Sequence, residues 1–220
     1  MEKEELAKRY DIDFKKLEQE QIKLSKTLEI KDKIDLKSID KIGAIENLII
    51  KNKIISTIVV VDKDNEIIEQ AYFLDKLRFP YIYGFESYRL LQPMTGALAK
   101  ITEKPDIVLI KGSGINHIRL GVASHFSLVT GLPSIGIDDK LIEGNELKKD
   151  ELFIDDEKVG MRLVTKKGSR PLYISPGNAV SVKRSYDFIK NLVIFPHKMP
   201  EPIHIAHRYA KEVKKELKID

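Results

Sequence analysis

The side chains able to do chemistry are few. Histidines occur at His117 and His125 in NHIRLGVASH, and at His197, His204 and His207 in PHKMPEPIHIAHRYA. Lys111 and Ser113 sit in IKGSG, while Asp138 and Asp139 follow an apolar run in PSIGIDD. Cysteine is absent, so disulfides, thiolate metal sites and a cysteine nucleophile are excluded. Ser113 has no His–Asp pairing to activate it and does not read as a nucleophile. His117 and His125 lack carboxylates nearby in sequence, so they read as pocket or helix-packing residues rather than metal ligands. His197 and His204 have no legible context. These residues alone compose no complete catalytic set.

The elements that must position them follow a mixed α/β plan. The chain has 220 residues, 42% hydrophobic and 33% charged, which fits one soluble globular domain over 1–220. The first 30 residues read as helix. KIGAIENLII, STIVVVD and EIIEQAYFLDKL are β-branched runs separated by KNK and KDN turns, as in an antiparallel meander. A helix is expected over about 87–100. DIVLIKG and LPSIGID read as strands buried on both faces, with a helix over RLGVASHFSLVTG between them. Residues 139–157 are charged and irregular, the best candidate for a mobile loop. KVGMRLVTK and PLYIS are two further strands, followed by helices near 183–192 and at the C-terminus. Antiparallel strands followed by alternating helix and strand imply a ribonuclease H-like mixed sheet flanked by helices.

Net charge is +4, from 38 basic and 34 acidic residues, which permits a nucleic-acid partner without requiring one. No apolar run approaches the ~18 residues of a membrane span, and MEKEELAKRYDIDFKK has no apolar core of a secretion signal. A cytoplasmic protein without a membrane partner is therefore expected.

Three ordered stretches, FPYIYGFESYR, PDIVLIKGSGINHIRLGVASH and LPSIGIDDKLIEG, resemble corresponding segments of the endonuclease V family. That family nicks nucleic acid beside deaminated adenine. SPGNAVSV and PEPIHIAHRYA extend the likeness over roughly residues 15–217. The resemblance implies a wedge loop that inserts into the duplex and a pocket that holds the extruded base. Pro80, Tyr81 and Ile82 match the wedge, with Tyr83 replacing its second proline. Gly84, Gly112, Ile115, His117 and Gly121 match the pocket region, with Arg89 beside them. The glycines let backbone approach a flat base; alternatively Gly112 and Gly114 only turn the chain. The segment between His117 and Leu120 is one residue shorter than in the family, which alters the pocket mouth. Arg78, Arg89 and Arg119 are expected to contact phosphates.

The family's Mg²⁺-holding positions are a different matter. The resemblance implies an Asp on the first strand, a Glu early in the helix after the wedge, an Asp at the end of the DIVLI-type strand, and a His in the last helix. Here those positions read as Ile45, Leu90, Lys111 and His207, so only His207 matches. Glu46, adjacent on a strand, is expected to face away from the site. Glu86 lies four residues before Leu90, on the same helical face. The family places a Lys where Asp139 stands, so Lys111 and Asp139 are expected to form a reversed ion pair; alternatively both face solvent. Ile45, Leu90 and Lys111 should converge with His207, with Asp139 first, then Asp138 or Glu86, neutralising Lys111. No metal cofactor is expected. The leading expectation is a catalytically degenerate endonuclease V-like protein that still binds deaminated DNA or RNA. The alternatives are an active metal-dependent endonuclease and a non-catalytic interaction scaffold.

Overall fold

The β-branched runs form strands because each carries apolar side chains on both faces of a pleated ribbon, and such a ribbon is stable only between two helical layers. The computed structural model describes residues 3–219; Met1, Glu2 and Asp220, part of the expected 1–220 domain, lie outside the described residues. Its first three strands, β1 (Ile42–Ile50), β2 (Lys53–Val61) and β3 (Ile67–Lys76), form the expected antiparallel meander. β4 (Ile107–Lys111) runs parallel to β1, and β5 (Ser134–Asp138) runs parallel to β4. β6 (Glu146–Lys148), β7 (Glu151–Ile154), β8 (Glu157–Leu163) and β9 (Leu172–Asn178) complete a nine-stranded sheet of order β3-β2-β1-β4-β5-β9-β8-β7-β6.

Helices α1 (Lys3–Tyr10) and α2 (Phe14–Ser25) replace the single N-terminal helix expected from sequence. The break is at Asp11, which adopts positive φ, and Asp13 then caps α2 by accepting from the Lys16 N–H. α3 (Glu86–Leu98) and α4 (Val122–Thr130) cover one face of the sheet. α5 (Val182–Asn191) and α6 (Glu201–Glu216) cover the other. In α6, Ile203, Ala206, Ala210 and Val213 recur on one buried stripe, and Lys214 and Lys215 oppose the C-terminal dipole.

Residues 139–157 were expected to be a mobile loop, and the structure corrects this. β6 and β7 form a hairpin there, with Leu152 fully buried. Charge dominates the segment because it is the edge of the sheet, where Lys and Glu side chains discourage further strand pairing.

Strand alternation divides the core into two clusters. Ile42 and Ala44 of β1, with Ile107 and Leu109 of β4, face α5 and α6. Ile45, Val108 and Ile110 face α3 and α4. Ile45 pairs with Ile110 and has no solvent exposure. It is a core residue and does not reach the site assigned to it by sequence. Truncating it removes buried methyl groups from a packed layer. Ile45→Ala should lower stability by about 2–5 kcal/mol, read as a reduced urea midpoint with little change in slope.

Candidate functional site

The same alternation places Glu46 on the α6 face, two residues beyond Ala44, and places Lys111 there, two beyond Leu109. The expectation that Glu46 faces away is therefore overturned. Lys111 Nζ lies 3.6 Å from Glu46 Oε1, and His207 Nδ1 on α6 lies 3.5 Å from the same oxygen. Glu46 is buried, whereas Lys111 and His207 are partly open to solvent. Glu46 Oε2 has no hydrogen-bond partner. Among the described residues the ion pair of Lys111 is thus with Glu46, not Asp139. Residue parity explains this: Asp138 follows Ser134 and Gly136 onto the α3–α4 face, while Asp139 falls beyond the end of β5.

Leu90 packs against the α3–α4 core cluster and does not join Glu46 and His207. It meets Lys111 instead in a cavity of 380 Å³ on the other side of the strand end. Tyr81, Gly112 and His117, from the expected wedge and pocket, also line this cavity. Asp138 and Glu86, expected only as second-choice partners of Lys111, and Tyr83, expected in the wedge, line it too, and so does Leu141, which the sequence had not singled out. Tyr83 hydroxyl donates to the Glu143 carbonyl at 3.4 Å, joining the loop before α3 to the segment after β5.

The cavity holds charges of both signs, Glu86, Asp138 and Glu143 with Lys111 and Lys140. Glu86 accepts from the Gly84 N–H at 3.1 Å and lies 3.5 Å from His117 Nε2. His117 Nδ1 accepts from the Arg119 N–H at 3.1 Å, which leaves Nε2 turned toward Glu86. Burial pushes Glu86 up, but contact with His117 and the backbone N–H groups outweigh it, leaving its carboxyl below the ordinary value. Asp138 goes the other way. Burial, then the charges of Asp139 and Glu86, push it up to about 7 against the pull of Lys111. Its Oδ2 has no partner.

The remaining expected residues frame the cavity rather than line it. Gly84 adopts φ +82, and a Cβ there would collide with the Arg119 guanidinium. Its carbonyl accepts from Gln21 Nε2 and Arg119 Nη2, each at 3.0 Å, and Arg119 Nε donates to Gln21 Oε1 at 2.7 Å. Arg119 also stacks over Phe85, so its side chain is a structural clamp rather than a free phosphate contact. Gly121 begins α4 where a Cβ would strike the Gly114 carbonyl, so it brings backbone to backbone, not backbone to base. Ile115 lines a separate groove with Asp155 and Val159. Pro80 and Ile82 flank Tyr81, which is 67% exposed at the loop tip. Arg89 is half-buried on α3, and Arg78 pairs with Asp75. His125 packs between helices, its Nδ1 3.0 Å from Ser87 Oγ and its ring edge-on to Tyr88.

The Endonuclease V family profile matches residues 22–208. The chain belongs to the endonuclease V family. The enzyme of Thermosipho melanesiensis is 30% identical over 189 residues, covering 82% of this chain and 83% of that protein. That of Dictyoglomus thermophilum is 33% identical over 217 residues, covering 90% and 94%. Among solved structures, Bacillus subtilis endonuclease V superposes with TM-score 0.86 at 23% identity over 95% of both chains. Ciona intestinalis endonuclease V, bound to a 24mer DNA containing an inosine followed by a ribo-adenosine, gives 0.83 at 21% identity over 92% and 98%.

The raised Asp138 has a consequence for stability. An acid whose folded pKa exceeds its unfolded value costs nothing below the ordinary 3.8, costs progressively more up to about 7, and a constant amount above that. Asp138→Asn removes the cost. The variant should be more stable than the parent near ~pH 8, and the gap should close toward ~pH 4 in urea titrations. A gap independent of pH would show that Asp138 ionises normally.

Proposed function

We propose that this endonuclease V relative binds nucleic acid carrying a deaminated, extruded base and does not hydrolyse it by the family's Mg²⁺ chemistry. The observation that carries this reading is the ammonium of Lys111 beside Glu46, the carboxylate that faces His207. Mg²⁺ takes a near-octahedral set of oxygens at about 2.0–2.1 Å. Here Glu46 supplies one carboxylate, its Oε1 faced by two cationic or imidazole groups, while Leu90 supplies hydrocarbon. That donor set does not fit Mg²⁺. Binding is supported by the exposed Tyr81 beside a cavity large enough for a base, and by the inosine-containing DNA held by the Ciona relative. No helix among the described residues is long and apolar enough to cross a membrane.

One observation favours the second reading, an active endonuclease: Glu46 and His207 together face the region where the sequence had suggested only His207 remained. A nicking assay on inosine-containing DNA and RNA with Mg²⁺ or Mn²⁺ separates the two. The proposed reading expects no cleavage, but binding that weakens as salt rises. Tyr81→Ala should weaken that binding by about 1–3 kcal/mol, the worth of one aromatic–base stack. Metal-dependent nicking retained in Lys111→Ala would establish the active reading. Absence of binding at both low and moderate salt would leave only the interaction scaffold.

A further inference from the structure

We propose that His197, Glu201 and His204 form a second site, one that binds a borderline divalent transition ion of the Zn²⁺ class. Nothing in the base cavity or the Glu46–Lys111 pair uses these residues as a unit. Their ligand atoms lie within 4.8 Å of one another. Two nitrogens and one carboxylate oxygen are a donor set that suits Zn²⁺, Co²⁺ or Ni²⁺, whereas Mg²⁺ and Ca²⁺ prefer oxygen throughout.

The frame that holds them is already closed. Glu201 and His204 occupy the first turn of α6, three residues apart on one face. His197 is returned to that turn by the preceding loop, fixed where the Glu201 N–H donates to the Leu192 carbonyl at 2.8 Å. The His197 N–H donates to the Ile194 carbonyl at 2.9 Å, and His204 N–H to Pro200 at 3.0 Å. His197 Nδ1 lies 2.7 Å from Glu201 Oε2. The two imidazoles stack with centroids 3.7 Å apart and planes 18° from parallel. Tetrahedral bonds of about 2.0–2.1 Å place donors about 3.3 Å apart, so side-chain rotations suffice and the backbone need not move. Three protein ligands leave a fourth position for water or another oxygen donor. His207, one turn further along α6, is directed to Glu46 and belongs to a different cluster. His204 also borders the small cavity holding Glu46, Lys111 and His207, so an ion here adds positive charge beside that cluster.

The test uses tag-free full-length protein, stripped with chelator and titrated with Co²⁺ and Zn²⁺. Co²⁺ should develop the visible d–d bands of a low-coordinate site, and Zn²⁺ should abolish them. His197→Gln lies in a surface loop and leaves the core untouched; it and His204→Ala should each weaken Zn²⁺ binding at least as much as losing an outer-shell partner does, about 10–100-fold. His207→Gln should leave Zn²⁺ affinity unchanged. Zn²⁺ should raise the melting temperature of the parent protein but not of His197→Gln. Absent d–d bands, unchanged affinity in His197→Gln, or loss of affinity in His207→Gln would each overturn the assignment.

Discussion

Side-chain alternation along two parallel strands governs this molecule. β1 and β4 are paired so that Ile45 stands beside Ile110, and the next residue on each strand is therefore a neighbour on the opposite face. Those next residues are Glu46 and Lys111. One step of the pleat separates a dry hydrophobic layer under α3 from a buried carboxylate met by a partly exposed ammonium under α6. A slip of one residue would exchange the two, placing charge among Met94, Val122 and Phe126 and isoleucine beside His207. The burial on each face fixes the register, and the register fixes which groups meet at the site. Removing the ammonium would leave the buried Glu46 carboxylate without its cation, the costlier half of the pair to lose.

A second constraint holds the wedge loop. Gln21 from α2 and Arg119 from the loop before α4 converge on the Gly84 carbonyl, and the Tyr88 hydroxyl donates to the Leu17 carbonyl. These bonds tie three distant stretches of chain around one backbone oxygen. The loop base is therefore fixed while its tip, with Tyr81, stands in solvent. The arrangement resists reorganisation when the exposed ring meets a partner, which lowers the ordering cost of binding. Arg119 illustrates the limits of reading a cation by its charge alone: its guanidinium is committed to amide oxygens and an aromatic face.

Most of the scaffold was legible because period-two apolar runs and ordered motifs survive without structural help. The antiparallel meander and the parallel placement of DIVLIKG and LPSIGID follow from such patterns. What was not legible depended on parity or on distance. Matching Ile45 to a ligand position by motif alone misassigned the face, because GAIEN contains no marker of which residue faces inward. Asp139 failed for the same reason, the cavity-facing acid being Asp138. The β6–β7 hairpin was hidden by its charges, which are an edge-strand property as much as a loop property. His197 and His204 had no sequence context because their relation comes from a loop closing onto a helix.

In the proposed reading, exchanging a divalent ion for an ammonium separates recognition from hydrolysis. Lysine supplies one fixed positive charge, enough to neutralise Glu46 and to favour a nearby phosphate. It has no vacant coordination position, so it cannot lower the pKa of a bound water or grip attacking and leaving oxygens together. Holding a base needs none of this; it needs a cavity, an aromatic surface and a loop that does not collapse. Those features belong to the α3–α4 side of the sheet, where the substituted positions Ile45 and Leu90 also lie, while Glu46 and His207 meet Lys111 on the α6 side. Lys111 borders both sides: its ammonium pairs with Glu46 and pulls the pKa of Asp138 down. Loss of the metal would thus alter the base cavity at two wall positions, Leu90 and Lys111, and leave the rest of its lining in place.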